Sequence, residues 1–132
     1  MKNLILLFAA VVLVGQSVVA DEKPLIADPI VEKAIREKIK KPMGELTKAD
    51  CKKVTKLSLL GNQLISVKSL EKLTRLKSLN LRANQLTDVK GLEKLTQLED
   101  LWLEDNPDLT KAQVDELQKG LPNCYILRNP TK

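Results

Sequence analysis

The sequence predicts an α/β solenoid, a stack of short units sharing one continuous core. Three observations carry this expectation. A nonapeptide recurs four times, as Val54-x-x-Leu57-x-Leu59-x-x-Asn62, Leu76-x-x-Leu79-x-Leu81-x-x-Asn84, Leu98-x-x-Leu101-x-Leu103-x-x-Asn106 and Leu121-x-x-Cys124-x-Ile126-x-x-Asn129. Its starts lie 22, 22 and 23 residues apart, a period typical of stacked repeats rather than of an ordinary globular core. Segments of helical periodicity precede the first copy and the last, as closed solenoid ends require.

Within each copy the apolar residues alternate with others: Leu57 and Leu59 around Ser58, Leu79 and Leu81 around Asn80, Leu101 and Leu103 around Trp102. A period of two describes a short strand with one buried face. A second apolar set follows at steps of three, Leu64, Val67, Leu70 and Leu73 in one unit and Leu86, Val89, Leu92 and Leu95 in the next, which suits a 3₁₀-like return. Stacking buries both sets, and each fully buried leucine contributes roughly 1.5 to 3 kcal/mol before chain entropy is subtracted. Asn62, Asn84, Asn106 and Asn129 end the strands, where a side-chain amide can satisfy backbone groups of the turn and of the neighbouring coil. They form an expected structural asparagine ladder. The third unit departs from this frame, because Leu109 falls one place late relative to Leu64 and Leu86.

The remaining residues are expected to form caps. Asp28-Pro29 offers an N-cap followed by proline in the first turn, with Ile30, Val31, Ala34, Ile35 and Ile39 on one face and Pro42 ending the helix. Leu46 and Thr47-x-x-Asp50 resemble a half-formed repeat joining that cap to the first strand. Near the other end Thr110-x-x-Gln113 is a capping box, Val114, Leu117 and Leu121 supply an apolar face, and Gly120 is expected to stop a helix over about 110–120. The expected organisation is a leader at residues 1–20, an N-terminal helical cap at 21–53, repeats at 54–129 and a tail at 130–132.

On these nonapeptides the sequence resembles bacterial leucine-rich repeat proteins with 22-residue, internalin-like repeats, over about residues 54–129. The resemblance implies a short arc with a parallel sheet on its concave face, a 3₁₀ or irregular convex side, and helical caps at both ends. It also implies a binding role for the concave sheet. Function does not follow from fold alone.

Lys2, the apolar run Leu4–Val14, the break at Gly15-Gln16-Ser17 and Val18-Val19-Ala20 before Asp21 read as a cleaved secretory signal. The run is shorter than the roughly 20 residues that span a bilayer. An exported protein, periplasmic or secreted, with no stable membrane span after cleavage is expected. Net charge is +5 for the whole chain, and removal of Lys2 leaves a mild +4. The lysines are scattered beside acids without interleaved aromatics, so no nucleic-acid partner is expected. Cys51 aligns with Leu73 and Leu95, and Cys124 is read into the slot of Leu57, Leu79 and Leu101, so both are expected to be buried. Three strand steps would separate their levels by ~14 Å, too far for a disulfide.

Catalysis has little to stand on. The chain contains no histidine, which removes the usual general base near neutral pH and any Cys-His pair. No metal-ligand cluster or phosphate-binding glycine loop is present in the sequence, and neither enzymatic activity nor a cofactor is expected. The informative residues are those the repeat turns outward. The middle positions form a row Ser58, Asn80, Trp102 and Tyr125; a second row is Leu60, Arg82, Glu104 and Leu127; a third is Lys56, Ser78, Asp100 and Asn123. Arg82 and Glu104 are placed to pair across neighbouring strands. Trp102, Tyr125 and the adjacent arginine have the composition of an interface hot spot. The reading is a monomeric, non-catalytic module that binds another protein through this face. A cell-wall polysaccharide module and a structural envelope component contacting acidic surfaces through Lys68, Lys72, Lys90 and Lys94 are the alternatives.

Overall fold

Alternation over a few residues is enough for a three-residue strand, and the chain makes four of them. In the computed structural model, which describes residues 24–129, β1 (Lys56–Ser58), β2 (Ser78–Asn80), β3 (Asp100–Trp102) and β4 (Tyr125–Leu127) form one sheet in the order β1-β2-β3-β4. All three pairings are parallel. Leu57, Leu79, Leu101 and Ile126 point inward from the strands, and Leu59, Leu81 and Leu103 follow them into the same core. The steps of three form the opposite wall, with 3₁₀ turns at Lys68–Lys72 and Leu92–Lys94. Leu64, Val67, Leu70, Leu73, Leu86, Val89, Leu92 and Leu95 are all buried there. The expected leader and the tail at 130–132 lie outside the described residues.

Each coil must turn sharply after its strand. Gly61, Ala83 and Asp105 occupy equivalent corners, all left-handed at φ of 66°, 58° and 61°. Only the first is a glycine, so the other two corners hold side chains in a region that disfavours them. Hydrogen bonds hold all three corners: Gly61 N–H donates to Arg82 O at 3.0 Å, Ala83 N–H to Glu104 O at 3.0 Å and Asp105 N–H to Asn129 Oδ1 at 3.2 Å.

The asparagine ladder is fully realised in its two inner rungs. Asn84 is buried; its amide donates to Leu59 O, Leu81 O and Arg82 O at 2.9, 3.0 and 3.2 Å, and its Oδ1 accepts from Asn62 N and Leu64 N at 3.0 and 2.9 Å. Asn106, also buried, donates to Leu81 O, Leu103 O and Glu104 O and accepts from Leu86 N. Each amide therefore ties its own strand to the coil before it. Asn62 has no complete coil before it and donates to Leu60 O in its own turn. Asn129, exposed at the far end, accepts from Asp105 N at 3.2 Å.

A helix with a side-chain N-cap lies at each end of the repeats. Asp28 Oδ1 accepts from Ile30 N at 2.9 Å, and α1 (Pro29–Ile39) lays Val31 and Ile35 on the core. It ends before Pro42, because Lys40 turns left-handed at φ 59° and its N–H bonds Arg36 O. Thr47 and Asp50 close a capping box on α2 (Lys48–Lys52), a short helix that leads into the first strand. Asp50 is buried, with Lys41 Nζ 2.7 Å from Oδ2. That lysine and the Thr47 backbone N–H hold the Asp50 carboxyl well below the usual carboxylate range.

At the C-terminal end, α3 (Lys111–Gly120) replaces the 3₁₀ return of the third unit, with Thr110 and Gln113 forming the capping box. Gly120 is its last helical residue, and the helix ends there. A Cβ there would come within 2.9 Å of Glu93 Cβ. Gly91, at φ 106°, likewise leaves room for Glu71, whose carboxylate reaches Lys94 Nζ at 3.1 Å. Thus a glutamate from one coil packs against a glycine of the next, twice in succession.

The helix also moves the last strand. β4 pairs as Asp100↔Tyr125, Leu101↔Ile126 and Trp102↔Leu127, a slip of two residues from the sequence-based alignment of Trp102 with Tyr125. The turn explains it. Cys124 N–H donates to Leu121 O at 3.1 Å, just as Leu98 donates to Leu95 O and Leu76 to Leu73 O. Cys124 therefore occupies the slot of Leu98, and Ile126 takes the slot first assigned to Cys124. A slip of two preserves the buried face and changes only the neighbours.

Asn84→Leu is expected to strand several buried backbone groups and to lower unfolding free energy by about 3 kcal/mol, whereas Asn62→Leu should cost less than about 1 kcal/mol; urea denaturation of the two variants measures the difference. The depressed Asp50 pKa implies a stabilising contribution that is complete above the ordinary carboxylate value of 3.8 and is lost as pH falls through the lower folded value. Wild type should accordingly exceed Asp50→Asn in melting temperature at pH 7, with the gap narrowing on acidification below about pH 4.

Candidate functional site

The outward side chains of the strands form rows fixed by the observed register. The first row is Lys56, Ser78, Asp100 and Tyr125; the second is Ser58, Asn80, Trp102 and Leu127. Leu60, Arg82 and Glu104 follow the first three strands as a third row. Tyr125 therefore neighbours Asp100, and Leu127 leaves the row of Arg82 and Glu104 to stand beside Trp102. Asn123 precedes β4 and belongs to none of these rows.

The second row changes character along the solenoid. Ser58 Oγ accepts from Leu60 N at 3.5 Å, and Asn80 Oδ1 accepts from Arg82 N at 3.0 Å. These two side chains fold back to cap their own turns. At the equivalent places β3 and β4 carry Trp102 and Leu127, both half-buried, which offer apolar surface instead. Tyr125 lies diagonally across from Trp102 on the same face, 64% exposed, and Leu60 at the other end is 51% exposed. The apolar area is concentrated over the last two strands.

The charges beside it are largely satisfied. Arg82 Nε lies 3.5 Å from Glu104 Oε1, and Arg82 Nη2 lies 3.9 Å from Asp105 Oδ2. Glu104 Oε1 is shut away from solvent without a hydrogen bond, so the guanidinium is its counter-charge. With both side chains partly exposed, the pair contributes at most about 1 kcal/mol.

The described residues offer no comparable chemistry elsewhere. Burial pushes the Cys124 thiol up to about 11, aided by the charge of Asp100, and burial likewise raises Cys51. Both are free, buried cysteines in the protonated form at neutral pH and poor nucleophiles. Among the described residues no His, Cys, Asp or Glu cluster could hold a metal. An open cleft of about 790 Å³ lies between the second 3₁₀ turn and α3, lined by Asp88, Lys90, Glu93, Gln113, Glu116 and Lys119 among others. Its charges are mixed and lie on the convex side.

The sequence-based alignment missed the pairing of Trp102 with Leu127. A signal for it was present: Leu121 and Cys124 repeat the three-residue step of Leu95 to Leu98, which aligns the final turn by its apolar anchors. The register has a direct optical consequence. Leu127→Ala should uncover the ring of Trp102, the chain's one tryptophan, giving red-shifted emission and stronger acrylamide quenching. Tyr125→Ala, one diagonal away, should change both less.

A family model for leucine-rich repeats, two copies to a match, fits residues 52–92 and again residues 74–123. Among solved structures, the chain is similar to an internalin (inlF) from Listeria monocytogenes, with a TM-score of 0.68 at 24% identity over 88% of this chain and 36% of that one. It is also similar to an internalin C2 (inlC2) from the same organism, with a TM-score of 0.67 at 23% identity over 83% of this chain and 61% of that one. The chain thus spans less than two thirds of either structure, and at these identities the likeness concerns the fold. No curated protein sequence matches it. Four parallel strands on one side, 3₁₀ turns on the other and buried asparagines between coils agree with the family match: the chain belongs to the leucine-rich repeat family.

Proposed function

We propose that the protein is an exported, non-catalytic module that binds another protein through the outward face of its sheet, centred on Trp102 and Leu127 and extended by Tyr125. The observation that carries this reading is the change in the second row, where two residues that cap their own turns give way to two apolar residues held at the surface. Half-buried aromatic and aliphatic groups on a rigid sheet lose little conformational freedom on binding, and tryptophan is among the commonest interface anchors. The Arg82–Glu104 pair supplies a polar border. Ser58, Leu60, Asn80 and Asp100 complete the proposed surface.

Membership of the leucine-rich repeat family supports an interaction role, and the fold likeness to internalins agrees with it. The lack of histidine and the protonated, buried thiols support a role without catalysis. Export rests on the leader-like residues 1–20, and no helix among the described residues is long and apolar enough to cross a membrane. The register favours a protein over a polysaccharide ligand. Trp102 and Tyr125 occupy different rows, so their rings do not line up along one strand-to-strand track as a sugar-stacking platform would require.

The test is capture of interacting proteins from the envelope and surroundings of the producing cell, comparing wild type with Trp102→Ala/Leu127→Ala. Loss of a hot spot of this kind costs 2 kcal/mol or more, so at least about a 30-fold weaker interaction is expected. The thermal transition should remain cooperative. Undiminished capture of the same partner by the folded double variant would remove this face from consideration.

A further inference from the structure

The two halves of the described chain carry opposite net charge. Residues 24–77 hold 13 bases and 6 acids, whereas residues 78–129 hold 6 bases and 9 acids, giving +7 and −3. The asymmetry is sharpest in the first two coils: from Cys51 to Ser78 there are seven bases and a single acid, Glu71. Glu71 faces the convex side, where it bonds Lys94.

The repeat gathers five of those bases on one rim. Lys52 and Lys53 precede β1 and Lys56 opens it, and Arg75 and Lys77 occupy the corresponding segment before β2. Lys53 and Arg75 are repeat-equivalent, and Lys77 N–H donates to Thr55 O at 2.7 Å, which holds the two segments side by side. All five side chains are exposed. Lys53 Nζ has Asp50 at 3.6 Å, a carboxylate already held by Lys41 at 2.7 Å. Farther along the same rim, before and at β3, stand Glu99 and Asp100. With strands about 4.8 Å apart, the sign reverses within roughly 10 Å.

From this arrangement we propose that the basic rim formed by Lys52, Lys53, Lys56, Arg75 and Lys77 docks the protein on an anionic lipid bilayer, N-terminal coils towards the membrane. Four of the five are lysines, hydrated point charges on flexible stems, and no aromatic ring is interleaved among them. That composition suits a diffuse field of headgroups better than the defined track of a polymer strand. Each such base near an anionic leaflet is attracted over about a Debye length. Glu99 and Asp100 are repelled by the same surface, so the molecule tilts its C-terminal coils outward. In the sequence the apolar run at residues 4–14 precedes the basic half, so export would release this half next to a membrane. The inference borrows from the proposed function only the export that decides which leaflet is met. The binding face is centred farther along the sheet, on Trp102 and Leu127, and shares only Asp100 with this rim.

Co-sedimentation of the exported chain, as the cell processes it, with vesicles of phosphatidylglycerol and phosphatidylcholine tests the proposal. Retention is expected on these vesicles, weak on phosphatidylcholine alone, and lost as ionic strength rises from about 0.1 M to about 1 M. The quadruple variant Lys53→Glu/Lys56→Glu/Arg75→Glu/Lys77→Glu should bind at least about tenfold more weakly. A variant with the same change in net charge on the convex side and α3, Lys68→Glu/Lys72→Glu/Lys90→Glu/Lys119→Glu, should lose much less. Far-ultraviolet dichroism checks both folds, and lysine-to-glutamine and arginine-to-glutamine changes at the same rim replace the charge reversals if those unfold. Equal losses in the two variants would reduce the effect to net charge and overturn the rim. Tight binding to inorganic polyphosphate without retention on vesicles would assign the rim to a soluble polyanion, and salt-sensitive dimerisation without vesicle binding would assign it to a second copy; either overturns the proposal. Trp102→Ala should leave vesicle retention unchanged, which separates this test from that of the protein-binding face.

Discussion

A buried amide between successive coils is the interaction on which the rest of this structure depends. Strands of three residues exchange few backbone hydrogen bonds, and the corner after each strand leaves donors and acceptors pointing inward. Asn84 and Asn106 satisfy those groups from within the core, each bonding to carbonyls of two neighbouring coils. Because the amide spans the step between coils, it sets that step. The two left-handed corners without glycine, Ala83 and Asp105, are held where these bonds converge. Leucine packing supplies the larger share of the stabilisation but has little directional preference. The asparagine bonds select one stacking arrangement from many that would bury similar area.

The same logic explains why the ends differ from the middle. A rung needs a complete coil on each side, and neither Asn62 nor Asn129 has one. Helices take over there. α1 covers the first strand with Val31 and Ile35, while α3 closes the other end with Val114 and Leu117. A helix advances about 1.5 Å per residue against roughly 2.0 Å for a 3₁₀ turn, so the return through α3 needs more residues to cross the same width. The spacing from β3 to β4 is accordingly 25 residues instead of 22. Glycines at Gly91 and Gly120 fit this view, since each is a point where a neighbouring coil's glutamate would meet a Cβ.

What could be read from the sequence divides along this line. The strands, the 3₁₀ returns, both capping boxes and the burial of Leu64 to Leu95 follow from local spacing, because each rests on residues a few places apart. The partner of Trp102 could not be read by counting from one leucine motif to the next. The nonapeptide ending in Asn129 is regular enough to invite alignment at Cys124, yet the backbone bond from Cys124 to Leu121 places that cysteine one slot earlier. Inward and outward faces survived the slip because its length is even. The row did not, and rows decide which residues form a surface together.

That distinction bears directly on the proposed binding face. With Tyr125 beside Trp102, an aromatic ladder would run straight across the sheet and suit a planar sugar chain. With Leu127 there instead, the surface has a compact apolar centre, a tyrosine set off diagonally and a charged border at Arg82 and Glu104, features better matched to a folded protein's side chains. Polarity of charge along the solenoid adds a direction to this face. Bases gather before the first two strands and acids around the third, whereas apolar surface is concentrated over the last two. A solenoid can separate such tasks because each coil contacts only its neighbours. Surface residues of one coil are free to meet one demand without compromising the packing that another requires.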